Sequence, residues 1–146
     1  MQRPHKYARI ERERRFLLDR FPSADVVRRR IIKDRYIDGT LLRLREQTDD
    51  GGAAIFKLTQ KVPARGSGAQ QGLITSFYLT EGEFRLPAQL PAKVLSKFRY
   101  SVPPFGIDVF EGALRGLRLV CASWRDVESW VAEYGITLSR LSQDLT

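Results

Sequence analysis

The sequence predicts a single α+β domain made mostly of antiparallel strands, and three observations carry that expectation. Apolar and charged residues alternate over short segments, as in Leu42-Arg43-Leu44-Arg45, which is the two-residue period of a strand with one covered face. Turn formers such as Asp38-Gly39 and the run Asp49 to Gly52 separate these segments by a few residues, the spacing of a meander. Toward the carboxyl end, Val127, Trp130, Val131 and Tyr134 recur at helical spacing, so helices are expected to pack on the sheet. A length of 146 residues suits one domain, 1–146, with room for a core.

Taken in order, the first segment runs from Ala8 to Leu18 and places Glu11, Glu13 and Arg15 on one parity. Strand and helix both fit it, because Glu and Arg are good helix formers. Ile31–Ile37 and Leu41–Arg45 read as hairpin arms, with Lys33 on the first and Arg43 and Arg45 sharing a face of the second. Ile55–Lys61 sets Lys57, Thr59 and Lys61 opposite Phe56 and Leu58. Residues 62–72 are rich in Gly, Ser, Gln and Pro and read as a flexible loop. A strand over Leu73–Leu86 carries Glu81, Glu83 and Arg85 on one parity, and Pro87 ends it. A short helix is expected over Leu90–Lys97, then strands over Phe98–Val102, Gly106–Phe110 and Leu117–Ser123. Helices over Asp126–Tyr134 and Leu138–Leu145 complete the reading.

The composition limits the function. Apolar residues make up 42% and charged residues 29%, which is globular. No apolar run approaches the roughly 18 residues of a membrane helix. The basic start, Met1 to Arg9, leads into Glu11 and Glu13 rather than an apolar stretch, unlike a secretory signal. One cysteine, Cys121, excludes an internal disulfide and a Cys-rich metal site. Cytoplasm is the expected compartment. The net charge of +8 and pI near 10.1 call for an anionic partner.

Nucleic acid is the common partner of such a chain, and the position of the charges decides. Several strands pair an apolar face with one dominated by Arg, Lys and Glu. Such a sheet can turn its polar face to water. If helices instead cover the apolar faces, the charged faces line a barrel of about eight strands, wide enough for a small ligand. Dense like charge enclosed in that way requires an anion.

Several of these segments resemble, in chain order, the motifs of the CYTH (triphosphate tunnel) superfamily. Glu11-Arg12-Glu13-Arg14-Arg15 is similar to its amino-terminal Glu-x-Glu-x-Lys, with Arg15 in the Lys place. Tyr36, Thr40, Arg43 and Arg45 resemble its Tyr and Arg-x-Arg strands, and Thr59-Gln60-Lys61 its Thr-x-Lys. Glu81 and Glu83 resemble a Glu-x-Glu strand, and Lys97-Phe98-Arg99-Tyr100 a Lys-x-Arg-Tyr segment. Asp108-Val109-Phe110-Glu111-Gly112, with Gly116-Leu117, resembles Asp-x-Phe-x-Gly…Gly-Leu. The match spans nearly the whole chain and reads the first segment as a strand.

The resemblance implies an eight-stranded tunnel with a charged interior and helices outside, holding a triphosphate-containing small molecule. It implies substrate contacts from Lys33, Arg43, Arg45, Lys57, Lys61, Arg85, Lys97 and Arg99, with Arg15 and Lys61 as the catalytic cations. It implies Mg²⁺ or Mn²⁺ held by Glu11, Glu13, Glu81 and Glu83, and homodimers are frequent among relatives. The chemistry is consistent: Arg offers bidentate donors to phosphate, and hard cations take carboxylate oxygens. The expected function is metal-dependent hydrolysis of inorganic or organic triphosphates. Two departures weigh against turnover. Cys121 and Ser123 stand where the family carries Glu-x-Glu, and Leu79 stands where a basic residue often precedes Glu81. A polyphosphate- or nucleotide-binding relative with little or no turnover is the alternative, and an RNA-binding β domain, with its cations on an outer surface, is the second. Arg28-Arg29-Arg30 reads as a solvated helix face, Cys121 as a core residue and His5 as an exposed terminal one.

Overall fold

Ten strands form one antiparallel sheet in the computed structural model, which describes residues 6–11, 14–63, 72–122, 132–133 and 138–140. The strands are β1 (Arg9–Glu11), β2 (Arg14–Leu18), β3 (Arg28–Ile37), β4 (Leu42–Asp49) and β5 (Ala54–Val62). They continue with β6 (Gly72–Leu79), β7 (Ala92–Val102), β8 (Phe105–Phe110), β9 (Arg118–Ala122) and β10 (Leu138–Arg140). Their order across the sheet is β1-β6-β5-β4-β3-β7-β8-β9-β2-β10. As described, this sheet is open, with β1 at one edge and β10 at the other. The first segment is thus divided: β1 pairs with β6, whereas β2, two residues further on, pairs with β9 across the sheet.

The hairpins follow from local chemistry. Gly39, at φ 74°, closes the β3–β4 turn in the left-handed region that glycine adopts without strain. There Thr40 donates its hydroxyl to the Ile37 carbonyl at 2.8 Å. Gly51, at φ 71°, does the same between β4 and β5, where the Gly52 amide donates to the Asp49 carbonyl. Arg28-Arg29-Arg30 opens β3 instead of forming a helix face, and β-branched Ile31, Ile32 and Ile37 favour that strand.

Three further segments depart from the sequence reading. Glu81–Arg85 is a short helix, α1, rather than the end of a strand. Thr80 accepts from the Glu83 amide, and the Glu83 carboxylate accepts from the Thr80 amide, a reciprocal cap that overrides the alternation of Glu81, Glu83 and Arg85. Residues Ala92–Lys97, expected as helix, belong to β7, because β3 pairs with this whole segment and takes up its backbone hydrogen bonds. At the carboxyl end, Leu138–Arg140 pairs with β2 as a strand rather than opening a helix. Residues 132–133 are helical, and the rest of the expected Asp126–Tyr134 helix lies outside the described residues.

The apolar core lies on one face of the sheet. Phe16, Leu18, Val102, Phe105, Ile107 and Val120 cluster there, with Ala24 packed against them. On β2, β8 and β9 these residues have the opposite parity to Arg15, Asp108 and Cys121, so the charged side chains project from the other face. Across β4 and β5, Leu44 and Leu58 are cross-strand partners on the same apolar side. The Phe84 ring of α1 rests on Phe56, centroids 4.6 Å apart, so this short helix, in a segment read from sequence as strand, lies against the apolar side. No helix among the described residues is long and apolar enough to cross a membrane.

Candidate functional site

A cavity of about 680 Å³ occupies the charged face of the sheet. The strand period builds it: every second residue of a strand points the same way. β4 contributes Arg43 and Arg45, and β5 contributes Lys57 and Lys61. Lys93, Lys97 and Arg99 follow from β7, while Arg9 and Arg15 come from β1 and β2. Tyr36, Phe110 and Cys121 complete parts of the wall. Nine cations therefore surround the cavity, and among the described residues one carboxylate, Asp108, lines it.

Two buried carboxylates hold four of these cations. Asp34 on β3, fully buried, receives Arg45 Nε at 2.7 Å and Arg45 Nη2 at 2.9 Å, with Arg43 Nε 4.0 Å from the same carboxylate. Asp108 on β8, 3% exposed, receives Arg99 Nε at 2.7 Å, Arg99 Nη2 at 2.9 Å and Lys97 Nζ at 2.9 Å. Both pairs are direct cross-strand neighbours, Asp34 opposite Arg45 and Arg99 opposite Asp108. Burial pushes both carboxyls up, but the cations more than offset it. Asp34 ends below the usual carboxylate range, and Asp108 falls to about 2.

The cations carry the opposite strain. Burial, then repulsion from Arg45 and Arg43, pushes Lys57 down, and burial pushes Lys97 down despite Asp108. Arg43, 7% exposed, is lowered by burial and by Arg45. Its Nη2 donates to Thr59 Oγ1 at 3.2 Å, and Thr59 shares a 2.8 Å hydrogen bond with Ser76. Its Nε, 4.0 Å from the Asp34 carboxylate, is buried with no hydrogen-bond partner among the described residues.

Of the residues singled out from sequence, Arg15, Arg43, Arg45, Lys57, Lys61, Lys97 and Arg99 come together around the cavity. Lys33 does not: the face of β3 that holds buried Ile32 and Asp34 leaves Lys33 exposed on the opposite side. Arg85 pairs with Glu81 at 3.2 Å on exposed α1. Glu81 and Glu83 lie on that same helix, not at the cavity, and Glu83 serves its cap. Glu13 and Ser123 lie outside the described residues, and Glu11 is the last residue of β1, opposite Gly72.

Sequence reading missed Arg9, Lys93 and Asp34. Lys93 shares the parity of Lys97 and Arg99, a signal lost once Leu90–Lys97 is taken as helix. Asp34 becomes visible only when the hairpin register sets it opposite Arg45.

The described donors do not fit a divalent cation. No three carboxylate, histidine or cysteine side chains converge among the described residues. Both oxygens of Asp34 and of Asp108 already accept from cations, whereas Mg²⁺ and Mn²⁺ require several oxygen ligands of their own.

Comparison with protein-family models and with curated proteins gives no match. Solved structures do match. NE1496, described as a hypothetical protein, is 21% identical over 91% of this chain and 90% of its own, with a TM-score of 0.53. PH1819 from Pyrococcus horikoshii OT3 is 17% identical over 91% of this chain and 93% of its own, with a TM-score of 0.55. A second structure of NE1496, described as an inorganic triphosphatase, is 21% identical over 80% and 77%, with a TM-score of 0.47. The chain has the fold of NE1496 and PH1819.

Proposed function

We propose that this chain is a CYTH-type protein that captures an inorganic or organic triphosphate within its basic cavity. One observation carries the reading: among the described residues, nine cationic side chains and one lining carboxylate surround about 680 Å³. Charge of one sign at that density is stable only when an anion neutralises it, and the cavity suits a small anion better than a macromolecule. Arg43 and Arg45 are 7% and 4% exposed, which favours a small ligand over an RNA strand lying on an outer surface. Asp34 and Asp108 hold Arg45 and Arg99 by two hydrogen bonds each, so these guanidinium planes are oriented before phosphate arrives.

The reading includes closure of the sheet into a tunnel. β1 pairs with β6 near one end of the strand order and β2 pairs with β9 near the other, yet only residues 12 and 13 separate them. So short a connection brings the two ends of the strand order close together, as closure requires.

Hydrolysis of the bound triphosphate is a second reading, favoured by the triphosphatase NE1496. Arg15 and Lys61 are the proposed catalytic cations, lining the cavity where they would stabilise charge on a phosphoryl group in transfer.

Calorimetry with inorganic tripolyphosphate tests capture: one saturable site is expected, with affinity that falls steeply as salt rises. Release of orthophosphate from tripolyphosphate, ATP and thiamine triphosphate, with and without Mg²⁺ or Mn²⁺, tests turnover. Binding without release leaves an anion-binding module, and no binding removes both readings.

A further inference from the structure

The charge around the cavity bears on the form in which the anion is taken up. Nine cations line it. The two carboxylates beside them, Asp34 and Asp108, present every oxygen to a guanidinium or ammonium group. Setting Glu11 and Glu13 against the nine as well, wherever their side chains lie, still leaves an excess of five positive charges. A divalent cation entering with the substrate would meet that excess. Its coordination would have to be completed by water, because Asp34 and Asp108 can release oxygens only by abandoning Arg45, Arg99 and Lys97, each buried or half-buried. A multiply charged anion that enters alone neutralises the excess and leaves both ion-pair clusters intact. The same anion wrapped around Mg²⁺ offers less charge and brings repulsion with it.

We propose that the cavity binds the free polyphosphate anion rather than its metal complex, so that Mg²⁺ competes with the protein for the ligand instead of promoting its capture. The inference rests on the reading of the cavity as a triphosphate site and extends it from the size of the ligand to its ionic form.

Calorimetric titration of the full chain with inorganic tripolyphosphate tests this, first in EDTA and then in rising MgCl₂, with ionic strength held constant by NaCl. The expected result is saturable binding in EDTA and an apparent affinity that falls at least about 10-fold once Mg²⁺ exceeds the ligand, tracking the fraction of tripolyphosphate complexed. MgCl₂ added without tripolyphosphate is expected to give no binding heat. Binding that appears only with Mg²⁺, or that tightens as Mg²⁺ rises, overturns the inference and leaves the triphosphate site standing. Absence of binding under every condition overturns the triphosphate reading itself.

Discussion

Asp34 and Arg45 face each other across β3 and β4 and join through two hydrogen bonds of 2.7 and 2.9 Å, with Asp34 fully buried and Arg45 4% exposed. Such a pair tolerates loss of one member poorly, because the survivor keeps its charge without a counterion. Asp34→Ala is expected to lower unfolding stability by about 3–5 kcal/mol, measured by urea denaturation. Replacing both partners, as Asp34→Leu with Arg45→Met, is expected to cost clearly less than the single change. Equal losses would show that the pair is not what the carboxylate supports.

Asp108 makes the fold sensitive to acid. Its carboxyl is held at about 2 against 3.8 ordinarily: burial pushes it up, and Arg99 and Lys97 more than offset that. A depressed carboxyl contributes stability that is present above its unfolded value and is lost as pH falls through the folded one. Asp34 shifts in the same direction. The melting temperature should hold from pH 7 to 5 and drop between about pH 4 and 2, with Asp108 accounting for about 2 kcal/mol. Asp108→Asn, though less stable throughout, should show a shallower drop.

Capture of an anion should reverse the depression of two cavity lysines. Lys57 and Lys97 are lowered chiefly by burial, with repulsion from Arg45 and Arg99 adding to it. Phosphate oxygens nearby favour the charged ammonium, so tripolyphosphate binding at alkaline pH should take up protons. Binding enthalpies near pH 9, compared in two buffers of different ionisation enthalpy, would reveal this. Identical enthalpies would place the anion elsewhere.

Arg43 and Lys33 separate the cavity face from the outer one. Arg43→Gln should weaken tripolyphosphate binding roughly 10- to 100-fold, the range expected for loss of a charged hydrogen bond. Lys33→Gln removes a charge of the same sign from the exposed side of β3 and should leave affinity within about twofold at physiological salt. If Lys33→Gln weakens binding as much as Arg43→Gln, a general basic surface rather than the cavity recruits the ligand.

The α1 cap offers a change that touches the fold and spares the site. Thr80→Ala removes the hydroxyl that accepts from the Glu83 amide and is expected to cost about 1 kcal/mol. Glu83→Ala should also lower the melting temperature, and neither change should alter tripolyphosphate affinity. A loss of affinity in Glu83→Ala would return that carboxylate to the ligand.

How much of this was legible in the sequence differs from residue to residue. Arg43, Arg45, Lys57 and Lys61 could be assigned to one face of their strands, because alternation is a property of the strand itself. The turns at Gly39 and Gly51 were legible for the same reason: Asp38-Gly39 and Asp49 to Gly52 bend locally. Glu81, Glu83 and Arg85 were misread although a local signal existed, since Thr80 followed by Glu83 is a capping box.

The tertiary structure decided what depends on partners distant in the chain. On β3 the run Ile31-Ile32-Lys33-Asp34-Arg35 does not alternate, so which parity faces the cavity was not legible, and Asp34 rather than Lys33 proved to be the inward charge. That choice is made by Arg45 on β4 and by the flanking strand β7, because an acid is stable in this interior only where a guanidinium meets it. The sequence by itself determined a basic, strand-rich chain with charged and apolar faces. Which face gathers nine cations around one cavity, and which carboxylates hold them there, was decided by cross-strand register, a relationship between segments that no single segment encodes.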